Sequence, residues 1–161
     1  MMTELCGRYR WEMCRKIQGM RWNDVTERSL TSEYCDYMQF YRKNHDLSAE
    51  TKEKIKNALV KAKNNYREVF VKDYQCWIKY EAKGSCRLNK VAREIVFTYC
   101  PFSAETMKAL EGQTAYSEAA KKYIRDNRAA RKSLDMMMHK WTKAGLAVPQ
   151  EILATVEYLK G

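Results

Sequence analysis

Residues 48–84 read SAETKEKIKNALVKAKNNYREVFVKDYQCWIKYEAKG, and Gly84 is the only Gly or Pro in the stretch. A chain that runs this far without either residue is not making tight turns, which use both. Within the stretch Ile55, Leu59, Ala62, Tyr66, Val69, Asp73, Cys76 and Tyr80 alternate at spacings of 4 and 3. That is a heptad-like seam, and Phe70 and Trp77 widen it into a stripe suited to packing in a bundle. Ser48 supplies an N-cap oxygen and Gly84 a left-handed exit. The spacing therefore predicts a long helix over 48–83.

A second stretch repeats the pattern. In residues 115–145, AYSEAAKKYIRDNRAARKSLDMMMHKWTKAG, the positions Tyr116, Ala120, Tyr123, Asn127, Ala130, Leu134, Met137 and Trp141 step by 4 and 3. A helix over 115–144 follows, closed by Gly145. Shorter periodic segments complete the chain. Leu5, Tyr9, Met13, Ile17 and Met20 draw one stripe on a first helix, expected to help complete the core. A second helix spans about 32–43, a fourth 85–99 before Pro101, a short one 104–111, and a last one starts at Pro149 with Ile152, Leu153, Val156 and Leu159 as its stripe. The fold class is all-α: a helical bundle of six to seven helices, two of them long, in a single domain over 1–161. The two long helices could form an extended antiparallel pair, and the same seams would serve a dimer equally well.

Composition agrees. Of 161 residues only 6 are Gly and 2 Pro. No segment reaches the ~20 apolar residues of a membrane span, and charge interrupts every apolar run near Met1, so no signal peptide is read there. The expectation is a cytoplasmic protein with no membrane contact. The six cysteines form no C-x-x-C pair and read as reduced thiols. Neither histidine, His45 nor His139, has a partner at metal-ligand spacing. Phosphate loops, nucleophile elbows and H-E-x-x-H are all absent from the sequence. No catalytic residue, metal or cofactor is assigned. Asp73 stands out as a carboxylate in an apolar seam, where an ion-paired or register-setting role is expected ahead of a catalytic one.

Charge placement is the most specific functional signal. The net charge is +10, yet residues 1–50 carry eight basic and eight acidic residues. Residues 51–95 carry twelve against five, and 115–145 eight against three. On the helix over 115–144, Lys121, Arg125, Arg128 and Lys132 recur at spacings of 4, 3 and 4, with Lys122 and Arg131 on the flanks. Arg87, Lys90 and Arg93 add a second basic group. A cationic stripe matches a polyanion, because each neutralised phosphate releases condensed counterions, and Arg grips phosphate bidentately. These nine residues are the candidate contacts to a nucleic-acid backbone. An acidic protein partner or a plain solvated face would use the same residues. No base-reading motif is present, so contact would be independent of base sequence.

Two functions are thus expected: a non-catalytic, nucleic-acid-binding accessory subunit of a larger complex, or a helical protein-interaction module that forms an oligomer. Most Tyr and Trp residues fall on apolar faces and are assigned to the core; Trp11, Tyr74 and Tyr158 are the ones read as exposed enough to stack on bases.

Overall fold

The computed structural model describes residues 1–160, with the side chains of 158–160 outside the description. Its elements are α1 (Met2–Gln18), α2 (Leu30–Phe40), α3 (Ala49–Lys61), α4 (Tyr66–Lys79), α5 (Lys90–Tyr99), α6 (Ala104–Ala109), α7 (Thr114–Lys143) and α8 (Gln150–Lys160). Single 3₁₀ turns at Gly19–Arg21, Tyr41–Lys43 and Glu81–Lys83 close α1, α2 and α4. The described residues contain no strand, as the scarcity of turn formers implies.

Side-chain caps set several of the boundaries. Ser29 accepts from Ser32 N at 3.2 Å while Ser32 accepts from Ser29 N at 3.1 Å, a reciprocal box that starts α2. Ser48, Asn89 and Ser103 accept from Thr51 N, Ala92 N and Thr106 N at the starts of α3, α5 and α6. The matching Ser-Ala-Glu-Thr runs at 48–51 and 103–106 are therefore two uses of one good helix start. Asn89 also corrects an expectation: residues 85–89 are not helical, and α5 begins only at Lys90.

The larger correction concerns the helix expected over 48–83. It is two helices. Lys63 and Asn64 both adopt positive φ, 51° and 57°, which stops α3, and α4 restarts at Tyr66. Asn64 N closes the end by donating to Leu59 O at 2.8 Å. Asn enters the left-handed region more readily than most residues, so Asn64 does here what Gly does elsewhere. The seam continues across the break: Ile55 and Leu59 from α3 and Val69 from α4 are all buried.

Residues 1–119 and 120–161 form two compact units. In the first, α1 packs along α4, and α2 lies against α4 and α5. Gly7 makes the first contact possible, since a Cβ there would sit 3.1 Å from the Tyr74 ring. Aromatic side chains fill the interior. Phe70 lies 5.5 Å from Trp11 and 5.3 Å from Tyr34, centroid to centroid. Trp77 stacks on Phe102 at 3.9 Å and donates from Nε1 to Cys100 O at 2.9 Å. Trp11 and Tyr74, read from sequence as exposed, are thus core residues; the side chain of Tyr158 lies outside the described residues. The second unit holds the rest of α7 with α8, where Val156 is buried and Leu134, Met138, Trp141 and Ile152 are half-buried.

Candidate functional site

α7 runs as one helix through Lys143, and the stripe predicted on it is exposed. Lys121, Arg125, Arg128 and Lys132 are exposed, as is flanking Arg131; Lys122 is half-buried. Among the described residues Arg125 pairs with its sequence neighbour Asp126, at 3.5 Å. Among the described residues Arg128, Arg131 and Lys132 form no ion pair. At 1.5 Å per residue, the run from Lys121 to Lys132 extends about 16 Å. Lys143 continues the same face, and Asp135 lies off its centre. The side chains needed to grip several successive phosphates are therefore on one line and open to solvent.

Of the second predicted basic group, Arg87 and Lys90 are exposed and Arg93 is not. Arg93 is buried, at 8 % exposure. It donates from Nε to Glu81 Oε2 at 2.8 Å and from Nη2 to Leu88 O at 2.6 Å. Glu81, at 0 % exposure, also accepts from Leu88 N at 2.7 Å and from the Tyr116 hydroxyl at 2.9 Å. Burial alone would raise the Glu81 carboxyl, but Arg93 and the two backbone donors, Leu88 N and Arg87 N, hold it below the usual glutamate value. This buried hub joins the turn after α4 to α5 and the start of α7, and Arg93 is structural. Arg87 is exposed and lies over the Tyr80 ring at 3.8 Å. Lys90 is exposed in the first turn of α5.

Asp73 is partnered by a tyrosine and not by a cation. It accepts from the Tyr34 hydroxyl, and burial pushes its carboxyl up to about 6 despite that bond. It faces a cavity of ≈ 390 Å³ lined also by Tyr37, Lys54, Arg87 and Asn89, the last donating to Tyr37 Oη at 2.7 Å. Among the described residues no His, Cys, Asp and Glu side chains gather as a metal site would require. His45 and His139 are exposed, and all six cysteines are free thiols.

The arrangement that sequence reasoning missed lies on α1. Its apolar stripe faces outward: Leu5 is 60 % exposed, Tyr9 66 %, Met13 37 % and Ile17 74 %, and Met20 in the 3₁₀ turn that follows is 97 % exposed. The buried face belongs instead to Gly7 and Trp11. Glu4 and Glu12 on the remaining sides meet Arg8 and Arg67, at 2.9 and 2.8 Å. With Leu30, Tyr74 and Tyr99 the outward stripe walls a groove of ≈ 790 Å³. The signal available in the sequence was Gly7-x-x-x-Trp11, a small-plus-large pair that competes with the longer aliphatic stripe for the inward direction.

Comparison with known families gives one match: the model described as "Domain of unknown function (DUF8509)" fits residues 19–158. The chain belongs to the DUF8509 family. No curated protein and no solved structure matches it. The DUF8509 stretch takes in α2 to α7 entire, with the cationic stripe and the Glu81–Arg93 hub, and leaves α1 outside. Trp11 therefore enters the core of this chain from outside the matched stretch. Among the described residues no helix is long and apolar enough to cross a membrane.

Proposed function

We propose that this protein is a non-catalytic, cytoplasmic subunit that binds the backbone of a nucleic acid through α7. The observation that carries the reading is the exposed line of Lys121, Arg125, Arg128 and Lys132, flanked by Arg131 and Lys122. Charge on one exposed helical line neutralises successive phosphates and releases their counterions. Arg87 and Lys90 remain exposed cations of the first unit and are secondary contacts; Arg93 has no part in binding. Base-independent contact fits the helix, which offers cations along one line while its aromatic residues Tyr116, Tyr123 and Trp141 belong to the opposite, apolar seam. The test is fluorescence anisotropy with mixed-sequence single- and double-stranded DNA and RNA over a salt series. The reading expects salt-steep binding that Arg125→Glu, Arg128→Glu and Lys132→Glu together abolish. Binding that ignores salt, or that the triple reversal leaves intact, overturns it.

A further inference from the structure

We propose that the groove between α1 and the α2/α4/α5 body is the docking site for an amphipathic helix of a partner protein, apolar on one side and acidic on its flanks. This surface is separate from the α7 stripe and does not depend on the nucleic-acid reading.

Three features define the occupant. The first is the unpartnered stripe itself, Leu5, Tyr9, Met13 and Ile17, opposed by Leu30, Tyr74 and Tyr99 across a groove of ≈ 790 Å³. A contiguous exposed apolar surface of this kind marks an interaction site. The second is shape. The apolar residues form the walls of a concavity, which receives side chains projecting from a helix, as helix-in-groove recognition does. From Leu5 to Ile17 the stripe runs about 18 Å, the length of roughly three helical turns. A partner helix would insert apolar anchors at i, i+4 and i+7 or i+8.

The third feature is charge. Lys16, just before Ile17 on α1, is exposed near that end of the stripe. The charged residues lining the groove, Arg10 and Arg28, are both cations; Arg10 donates to Tyr99 O at 3.2 Å and Arg28 lies 3.7 Å from Glu33, so with Lys16 the rim keeps an excess of positive charge. The carboxylates of α1 are turned away: Glu4 pairs with Arg8, and Glu12 with Arg15 and Arg67. An apolar floor rimmed by cations selects an apolar ligand with acidic flanks. The same rim argues against a second copy of this chain, because pairing two such grooves would set like charges against each other. A flat lipid surface would meet the rim charge but would leave the concavity unfilled.

The experiment uses the full chain and a displayed library of 14-residue helices with fixed apolar positions at i, i+4, i+7 and i+11 and random residues elsewhere. Enriched sequences are synthesised and their binding is measured by anisotropy. The expected result is enrichment of Asp and Glu at the flanking positions. Binding is expected to fall at least tenfold in the Tyr9→Glu/Ile17→Glu variant, whose substituted residues are exposed and whose helicity should match the parent. Arg125→Glu should leave this binding unchanged, which separates the groove from the α7 stripe. Failure to enrich any helix, enrichment of neutral or basic flanks, or binders indifferent to Tyr9→Glu/Ile17→Glu would each overturn the proposal. So would concentration-dependent dimerisation lost in that variant, or its loss of binding to vesicles with about one-third anionic lipid; these outcomes assign the groove to a second copy or to a membrane surface.

Discussion

Arg93 Nε donates to Glu81 Oε2 at 2.8 Å inside the first unit, and the two charges are sealed from solvent on both sides. A buried pair of this kind costs desolvation that its mutual attraction offsets only when every remaining hydrogen-bonding position is filled. Here Leu88 N, Leu88 O and the Tyr116 hydroxyl supply bonds of that kind to the pair. Removing one partner leaves the other charge uncompensated. Glu81→Gln should destabilise the fold by about 3–5 kcal/mol, read by urea denaturation at pH 7. The Glu81 carboxyl sits below its ordinary value, so its contribution is complete above the unfolded value and lost as pH falls through the lower folded one. The parent should therefore lose stability below about pH 4.5, and Glu81→Gln should show a flatter acid limb. A variant as stable as the parent would remove the hub from the list of fold determinants.

Asp73 carries the opposite sign. Its carboxyl is raised from 3.8 to about 6 by burial, with Tyr34 bonding only partly offsetting that. Lys54 and Arg87 line the same cavity, yet neither forms an ion pair with Asp73 among the described residues. A raised acid favours the folded state while protonated, below about pH 4, and that contribution is lost as pH rises through about 6. Asp73→Asn keeps an acceptor for Tyr34 and stays neutral. It should be more stable than the parent by about 1–3 kcal/mol above pH 6, since each pKa unit is worth about 1.4 kcal/mol. The two denaturation curves should converge near pH 4. A parallel offset at every pH would show that the charge of Asp73 is not what matters.

At the break between α3 and α4, Lys63 and Asn64 hold φ of 51° and 57°. A side chain in the left-handed region costs roughly 1–2 kcal/mol, less for Asn. Lys63→Gly should thus stabilise the protein by about 1 kcal/mol, and Asn64→Val should destabilise it by a similar or larger amount. Thermal melts of the two variants against the parent check both directions. If Lys63→Gly were destabilising, the strain assigned to this turn would be absent.

That same turn shows where sequence reading stops. Helical periodicity told the class of the fold, since seven of the eight helices fall within segments whose apolar spacing announced them. Ser48 and Gly84 marked real boundaries. The Lys63-Asn64 break was hidden because the seam keeps its 4-3 spacing across it, so pattern alone could not separate one helix from two. Direction was hidden as well. On α1 the stripe Leu5-Tyr9-Met13-Ile17 is the stronger amphipathic signal, but Gly7 lets α4 approach closely and Trp11 fills the core, and packing decided the orientation. For the basic residues, spacing put Lys121, Arg125, Arg128 and Lys132 on one line of α7, and all four are exposed. It misplaced Arg93, whose partner Glu81 is twelve positions away and enters from a different element. A charge pair between elements leaves no trace in local spacing.

The close approach of α1 gives a prediction of its own. A Cβ on Gly7 would meet the Tyr74 Cδ1 at 3.1 Å and its Cβ at 3.5 Å. In an exposed helix, Gly→Ala is favourable by about 1 kcal/mol. Against a buried ring that gain is offset by overpacking of about 1–3 kcal/mol. Gly7→Ala should be neutral to mildly destabilising and Gly7→Val strongly so. A clear stabilisation by Gly7→Ala would mean that α1 does not seat on Tyr74.

For α7 the expectation is quantitative. Each phosphate neutralised on a duplex contributes about −0.9 to the slope of log K against log salt. If Lys121, Arg125, Arg128 and Lys132 each engage one phosphate, that slope should lie near −3.6, about −2.8 on a single strand. Single changes Arg125→Ala, Arg128→Ala and Lys132→Ala should each reduce its magnitude by about one. Arg87→Ala and Lys90→Ala should lower it less. Arg93→Ala should act through stability alone, leaving the slope of the folded fraction unchanged. Equal losses across random DNA and RNA sequences would support backbone contact. A slope near zero with binding retained would mean that the cations of α7 keep the helix hydrated and that an uncharged surface holds the ligand.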